Sequence, residues 1–259
     1  MVSTNGNGRQ PILEARDLVK TYGHVQALRG ANFSAYPGEV VALIGDNGAG
    51  KSTLIKQLAG VEQPDAGEIV FEGQVAHIPS PSAAQQLGIE TVYQDLALAP
   101  DLDGAANIFL GREIVRPGLL GRLGVLDKRA MRERATKSFS ELGVAIKDAD
   151  APVVFLSGGQ RQGVAVARAA SWANKVVIMD EPTAALGVVQ SARVLEVIRQ
   201  VRDRGLAVIL VSHSMPDVLA VADRIEVLRL GRRVAVFQKE QATLESLVGA
   251  MTGAIEEQT

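Results

Sequence analysis

Residues 45–53 read GDNGAGKST, directly after the apolar run Val40-Val41-Ala42-Leu43-Ile44. The stretch fits the spacing G-x-x-x-x-G-K-[ST], with Gly45, Gly50, Lys51 and Ser52 in the fixed places. Backbone N–H groups from Gly45 through Asp46, Asn47, Gly48, Ala49 and Gly50 are expected to turn inward and cradle phosphate oxygens. A Cβ on the glycines would obstruct that approach. Lys51 supplies a point charge for the outer phosphates, and the Ser52 hydroxyl is placed to ligate Mg²⁺. From Thr53 to Gly60 the chain reads as a helix, whose N-terminus adds a favourable dipole for the anion. Strand before and helix after are the context this spacing demands, and they imply a nucleoside triphosphate.

The rest of the composition narrows the class. The chain has 259 residues, enough for one large domain or a domain with a smaller insert, and 47% are hydrophobic. Twenty-seven basic against 29 acidic residues give a net charge of −2, which lends nucleic acid no support as a partner. Cysteine is absent, so disulfides are excluded. The longest apolar runs are strand-length, far short of the roughly 18 residues a membrane helix needs. The start, MVSTNGNGRQ, lacks the apolar segment of a signal peptide. Residues 1–11 and 252–259 are expected to be tails, and any link to a membrane is expected to pass through a partner.

Around the phosphate loop the pattern is α/β. Ile12–Leu18, Ala27–Tyr36 and Glu39–Ile44 are β-like, with Pro37-Gly38 turning between the last two. Glu68–Phe71 and Ile89–Tyr93 read as strands and Ser82–Leu87 as helix. From Leu96 to about Phe155 the β-patterning disappears, which predicts a helical insert. Its clearest helix is Lys128–Leu142 behind Asp127 as N-cap, with an apolar stripe of Met131, Ala135, Phe139 and Leu142. Lys128, Arg132, Glu133 and Lys137 would form its solvated face. Alternation resumes after Ser157: helix Gly158–Trp172, strand Val176–Met179, helix Val189–Arg204, strand Ala207–Val211. A helix Ser214–Ala222, with a capping box of Ser214 and Asp217, comes next. An edge hairpin of Ile225–Leu230 and Val234–Phe237 then leads to a helix over Gln241–Met251. Fully apolar strands alternating with helices imply a mainly parallel sheet covered on both faces.

Two further stretches carry chemistry. VVIMDE, Val176 to Glu181, is an apolar strand ending in two carboxylates, which are costly to bury unless paired or metal-bound. Asp180 would hold Mg²⁺ through its water shell, and Glu181 would orient or deprotonate the water attacking the γ-phosphate. LSGGQ, Leu156 to Gln160, places Ser157, Gly158 and Gly159 at the opening of a second helix, 105 residues beyond Lys51. Two anion-binding helix starts with a lysine at only one imply that the second serves a neighbouring subunit's nucleotide.

These three stretches, in this order, resemble an ATP-binding cassette (ABC) ATPase. The similarity spans about Ile12 to Met251. The resemblance implies a P-loop NTPase core of mainly parallel sheet, an N-terminal antiparallel β subdomain and a helical subdomain over about 96–173. It implies ATP and Mg²⁺ as cofactors, with Gly45 through Thr53, Ser157, Gly158, Gly159 and Gln160 on the nucleotide. Tyr22, in KTYG, matches the aromatic that stacks on adenine. Gln94, in VYQD, matches the glutamine that reaches Mg²⁺ and the attacking water and reports on the transmembrane partner. His213, after AVILV, matches the switch histidine at the γ-phosphate. His24 and His77 match nothing and are expected at the surface.

Within the family, RQGVAVARAA (161–170), the region 78–113 and SHSMPDVLAVADRIEVLRLGRR (212–233) look like ATPases of bacterial importers for ribose, xylose, fructose and similar monosaccharides. Gly187 departs from the pattern, standing where an Asp is common. Only 28 residues follow Gly231, leaving no room for the C-terminal regulatory domain of importers for larger sugars. The implied partners are a second copy in a head-to-tail, ATP-dependent homodimer, transmembrane permease subunits, and indirectly a periplasmic sugar-binding protein. That places the chain at the cytoplasmic face of the cell membrane. A soluble cassette ATPase in DNA repair or on ribosomes is the alternative. A P-loop kinase would not need LSGGQ. The apolar residues around Gln94 and Leu96–Leu110, Leu98 and Phe109 among them, are expected to line the groove that receives the permease.

Overall fold

In a computed structural model that describes residues 9–144, 146, 150–184 and 186–254, two sheets share the framework. The chain begins with strands β1 (Leu13–Tyr22) and β2 (Val25–Ala35), joined by a tight turn at Gly23-His24, and continues into β3 (Val40–Ile44). Helix α1 (Lys51–Leu58) follows the phosphate loop. Then come β4 (Ala66–Phe71), β5 (Gln74–Val75), α2 (Pro81–Gln86) and β6 (Ile89–Val92). Helices α3 (Gly104–Phe109), α4 (Leu119–Arg122), α5 (Lys128–Glu141) and α6 (Gly158–Trp172) fill the next segment, in which no strand is present among the described residues. Strand β7 (Val176–Asp180), α7 (Val188–Asp203), β8 (Ala207–Val211), α8 (Met215–Val221), β9 (Arg224–Arg229), β10 (Arg232–Gln238) and α9 (Leu244–Thr252) complete it.

The first sheet is antiparallel, in the order β2-β1-β4-β5. The second has the order β10-β9-β3-β8-β7-β6 and is parallel from β9 to β6, with β10 antiparallel at the edge. Side-chain alternation assigns each strand's residues to different layers. Val177 and Met179 of β7, with Val208 and Leu210 of β8, pack under α3, α5, α6 and α7. Val176, Ile178, Ala207, Ile209 and Val211 face the antiparallel sheet and α1 instead. No residue of β3 or β8 is more than 1% exposed, which is why these strands read as unbroken apolar runs. A third cluster seats α8 and α9 on β3 and β9 through Met215, Val218, Leu247 and Ala250.

Several local expectations hold. Asp127 caps α5 by accepting from the Ala130 amide at 3.0 Å, and Met131, Ala135, Phe139 and Leu142 are buried. His24 and His77 are exposed. Others do not hold. Ser214 is the N-cap of α8, yet its side chain makes no capping bond, and its amide instead donates to Ser212 Oγ at 3.0 Å. Phe109 is only 3% exposed and meets Trp172 edge-to-face at 5.5 Å, while Leu98 is partly buried against the same cluster. Phe109 is thus a core residue holding α3 on α6 and lines no exposed groove, while Leu98 keeps part of its surface open. At the amino end Pro11 is already buried, and the Arg9 guanidinium donates to the Pro37 carbonyl. The parts of the expected tails over 1–8 and 255–259 lie outside the described residues.

Candidate functional site

Parallel strands put all their carboxyl ends at one edge, and here that edge collects the chemistry. Along the order β3-β8-β7-β6, β3 delivers the Gly45–Gly50 loop, β8 delivers Ser212-His213, β7 ends in Asp180 and Glu181, and β6 leads to Gln94. The register locks the ends together: Leu43 and Asp180 both pair with Val211, and Val92 pairs with Met179. The Glu181 amide adds a bond to the Val211 carbonyl at 2.9 Å.

Two glycines of the loop are also required by the fold itself. A Cβ on Gly45 would lie 2.1 Å from the Leu228 carbonyl oxygen, and one on Gly50 would lie 2.6 Å from that of Ala27. Both also have positive φ, 152° and 102°. The protein's own strands β2 and β9 crowd the loop from behind, so the glycines let it press against the fold. Asp46, Asn47 and Gly48 are exposed at its tip, and Ala49 is buried, its carbonyl accepting from the Gly231 amide at 2.9 Å.

Lys51 Nζ donates to the Gly45 and Asp46 carbonyls at 2.6 and 3.1 Å. Burial pushes its pKa down, and the carboxylates of Glu181, Asp46 and Asp180 act against that, so the lysine and the β7 carboxylates share one electrostatic site. Burial pushes the Asp180 carboxyl up, Glu181 adds to the effect and Lys51 opposes it. The carboxylates of Asp180 and Glu181 act on the Lys51 charge, and the Ser52 hydroxyl is exposed on the first turn of α1, so oxygen donors of the kind a hard divalent cation takes follow both strand ends. Ser52, Asp180 and Gln94 are the side chains that could hold Mg²⁺ there with nucleotide oxygens. Glu181 Oε2 lies 2.8 Å from His213 Nδ1, with its side chain 14% exposed against 72% for the histidine. Glu181 also holds φ of 51°, left-handed backbone that aims its carboxylate off the end of β7.

Tyr22 lies at the end of β1, and its hydroxyl donates to the Glu62 carboxylate. Burial and the Glu62 carboxylate, which accepts the hydroxyl proton, raise its pKa. The ring is 43% exposed, available for stacking. Gln94 is exposed just past β6. The structure therefore brings the 45–53 loop, Asp180, Glu181 and His213 to one edge, with Gln94 two residues past the end of the outermost strand and Tyr22 at the end of β1 in the other sheet.

Ser157 through Gln160 stand apart from that group. Their helix α6 packs on α3, α5, α7 and β6, whereas α1 packs on β1 and β2. Ser157 and Gln160 form a capping box: Ser157 Oγ accepts from the Gln160 amide at 3.3 Å, and Gln160 Oε1 accepts from the Ser157 amide at 3.0 Å. Gly158 and Gly159 are first-turn residues, whose amides have no acceptor within the helix. Gly187 is the N-cap of α7 and offers no side chain for the role. Two residues were missed from the sequence. Arg168 on α6 donates to the Leu96 and Ala97 carbonyls, and buried Asn107 accepts from the Ala99 amide at 2.8 Å and donates to the Ala99 carbonyl at 3.0 Å. A lone arginine inside the apolar run VAVARAA was the available signal for the first.

Residues 28–184 match the ABC transporter family. The chain is 56% identical, over 96% of its length and 96% of the relative's, to the fructose import ATP-binding protein of Rhizobium meliloti. It is 47% identical to a xylose/arabinose import ATP-binding protein of Sulfolobus acidocaldarius, covering 93% of this chain and 94% of the other. A ribose import ATP-binding protein of Escherichia coli O157:H7 is 40% identical over 94% of this chain, which spans 47% of that longer relative. Among solved structures, a nucleotide-free ATP-binding cassette from an ABC transporter superposes with a TM-score of 0.79 at 26% identity, over 96% of this chain and 100% of the other. The folded core, the clustered strand ends and these likenesses agree: the chain belongs to the ABC transporter family, as one of its ATP-binding cassettes.

Proposed function

We propose that the chain is the ATP-hydrolysing subunit of an importer for a monosaccharide. The observation that carries the reading is the 56% identity with a fructose import ATP-binding protein over nearly the whole of both chains. Relatives with xylose and ribose import names support it, and none of the likenesses favours a DNA-repair or ribosomal role. No helix among the described residues is long and apolar enough to cross a membrane, which fits a subunit docked at the cytoplasmic face on permease partners. A periplasmic sugar-binding protein would deliver the sugar to that permease.

In the mechanism so read, Tyr22 stacks on adenine and the 45–53 loop holds the phosphates. Lys51 leaves its two loop carbonyls for the outer phosphate oxygens, an exchange of neutral for charged acceptors. Ser52, Asp180 and Gln94 would hold Mg²⁺, which would supply charge neutralisation on the phosphates. Glu181 takes the proton of the attacking water, and His213, already on the Glu181 carboxylate, contacts the γ-phosphate. The Ser157 helix start, which packs on other elements than α1, grips the nucleotide of a second copy, so that ATP joins a head-to-tail homodimer and hydrolysis releases it.

The test removes the base and keeps the shape. Glu181→Gln should bind ATP, hydrolyse it about 10²–10⁴-fold more slowly, and appear as a dimer by light scattering. Adding Ser157→Arg should abolish that dimer. A Glu181→Gln protein that stays monomeric in saturating ATP, even with its permease, would defeat the sandwich. In cells lacking the chain, uptake of the transported monosaccharide should return with the wild type and not with Glu181→Gln.

A further inference from the structure

Leu96 and Ala97, two and three residues after Gln94, both hold left-handed backbone, with φ of 63° and 44°. Consecutive non-glycine residues in that region persist only where the surroundings impose it. Here one side chain imposes it. Arg168 Nη2 donates to the Leu96 carbonyl at 2.9 Å and Nη1 to the Ala97 carbonyl at 2.6 Å. Burial acts against the Arg168 charge, and the carboxylates of Glu90 and Asp95 support it. Further along, wholly buried Asn107 of α3 fixes Ala99 through both its amide and its carbonyl. The Leu96 amide donates to the Tyr93 carbonyl at 2.9 Å, closing a turn around Gln94. The loop is thus clamped to α3 on one side and to α6 on the other.

Helix α6 is also the helix that carries Ser157, eleven residues before Arg168. We infer that Arg168 is a positioning residue for Gln94: its planar fork grips two adjacent carbonyls, holds the loop in the form that presents Gln94 at the strand edge, and ties that form to the placement of the Ser157 helix. A lysine, with one point charge, has no such two-pronged grip. The inference rests on the proposed role of Gln94 in the nucleotide site. It adds a consequence: a shift of α6 that brings Ser157 to a partner's nucleotide carries the Leu96–Ala97 peptide, and Gln94 with it.

Arg168→Lys in the full chain tests this, with Arg168→Gln as the replacement should the lysine variant fail to fold. The kcat for ATP hydrolysis should fall about tenfold or more, as for loss of a charge-assisted hydrogen bond, while KM for ATP stays within about twofold. Amide exchange at Leu96 should accelerate about tenfold with α6 still protected. Unchanged exchange at Leu96 would overturn the grip. Faster exchange with unchanged kcat would overturn the positioning role. Since Arg168 acts through Gln94, Gln94→Ala combined with Arg168→Lys should turn over no more slowly than Gln94→Ala alone, and a multiplied loss refutes the inference. Full turnover in Gln94→Ala would instead refute the reading of Gln94 and remove the catalytic half of the inference, while faster exchange in Arg168→Lys would still support the grip itself.

Discussion

Glu226 offers the sharpest test of what joins the two sheets. It is wholly buried on β9, where its carboxylate accepts from the Ser34 amide and hydroxyl at 3.2 Å each, from Arg233 Nη1 at 3.2 Å and from Arg224. Arg224, 3% exposed, also reaches Glu39 at 2.8 Å and the Ser34 carbonyl, with its guanidinium over the Tyr36 ring. Two arginines and two glutamates thus balance, and they join β2 of the antiparallel sheet to β3, β9 and β10 of the other. Glu226→Ala leaves the cluster with one excess positive charge and orphans the Ser34 donors. Arg233, a third exposed, can turn to water, and Arg224 keeps Glu39, so the loss should fall at the lower end of the usual range for a broken buried pair, about 3 kcal/mol. That is a large part of the roughly 5–15 kcal/mol of a typical domain. Urea unfolding should show the midpoint drop with little change in slope. Replacing both partners, Glu226→Leu with Arg224→Met, should destabilise less than Glu226→Leu alone, because the double change leaves one cation fewer without its partner. A single variant within about 1 kcal/mol of wild type, or a double variant equal to the sum of its parts, would refute the reasoning.

Lys51→Ala removes the charge facing Asp180 and Glu181, and ATP affinity should fall by about one to two decades, measured by titration with a fluorescent nucleotide. Asp180 has its pKa raised by burial and by Glu181, so its ionised form opposes folding in full above the folded pKa and not at all below the ordinary value of 3.8. Asp180→Asn should therefore raise the nucleotide-free Tm at neutral pH, and the gain should vanish as the solution is acidified through that range, while hydrolysis is lost at every pH. Phe109→Ala empties a buried site against Trp172 and should cost about 3–5 kcal/mol in chemical denaturation, marking it as core.

How much of this was legible depended on the range of the interaction. The phosphate loop, the DE-ending strand and the capped α5 are written in contiguous residues, so spacing and periodicity found them. The Lys128–Leu142 helix came out one residue longer than its observed bounds. The failures involve partners far apart in the chain. Phe109 read as a surface residue because its apolar run Ile108–Leu110 lies in a segment rich in Asp and Gly, and what it packs against, Trp172, is 63 residues on. Gly45 and Gly50 read correctly as glycines, but the backbone that forbids a Cβ belongs to Leu228 and Ala27, which no local window contains. Glu226 was passed over inside an apolar strand, although a carboxylate at a position flanked by Ile225 and Val227 already called for a buried cation.

The backbone itself points to where the fold yields to function. Six non-glycine residues among those described hold positive φ. Glu72 and Leu230 lie in hairpin turns, and Asp17 sits at an irregularity in β1, where left-handed geometry is the ordinary consequence of chain reversal or a bulge. Leu96, Ala97 and Glu181 have no hairpin to explain them. They follow the carboxyl ends of β6 and β7, and each is fastened by a bond from another element: Arg168 of α6 on the first two, and the Val211 carbonyl of β8 on the Glu181 amide. Strain of about 1–3 kcal/mol per residue persists only when the surroundings over-determine it. A sequence selected for stability alone would place Gly or Asn at these points. Holding side-chain-bearing residues there keeps a carboxylate and a glutamine loop off the strand ends, where a nucleotide's outer phosphates would lie. Glu181→Gly should therefore relax the backbone while abolishing hydrolysis, so the strain belongs to the chemistry of the site and not to the architecture of the sheet.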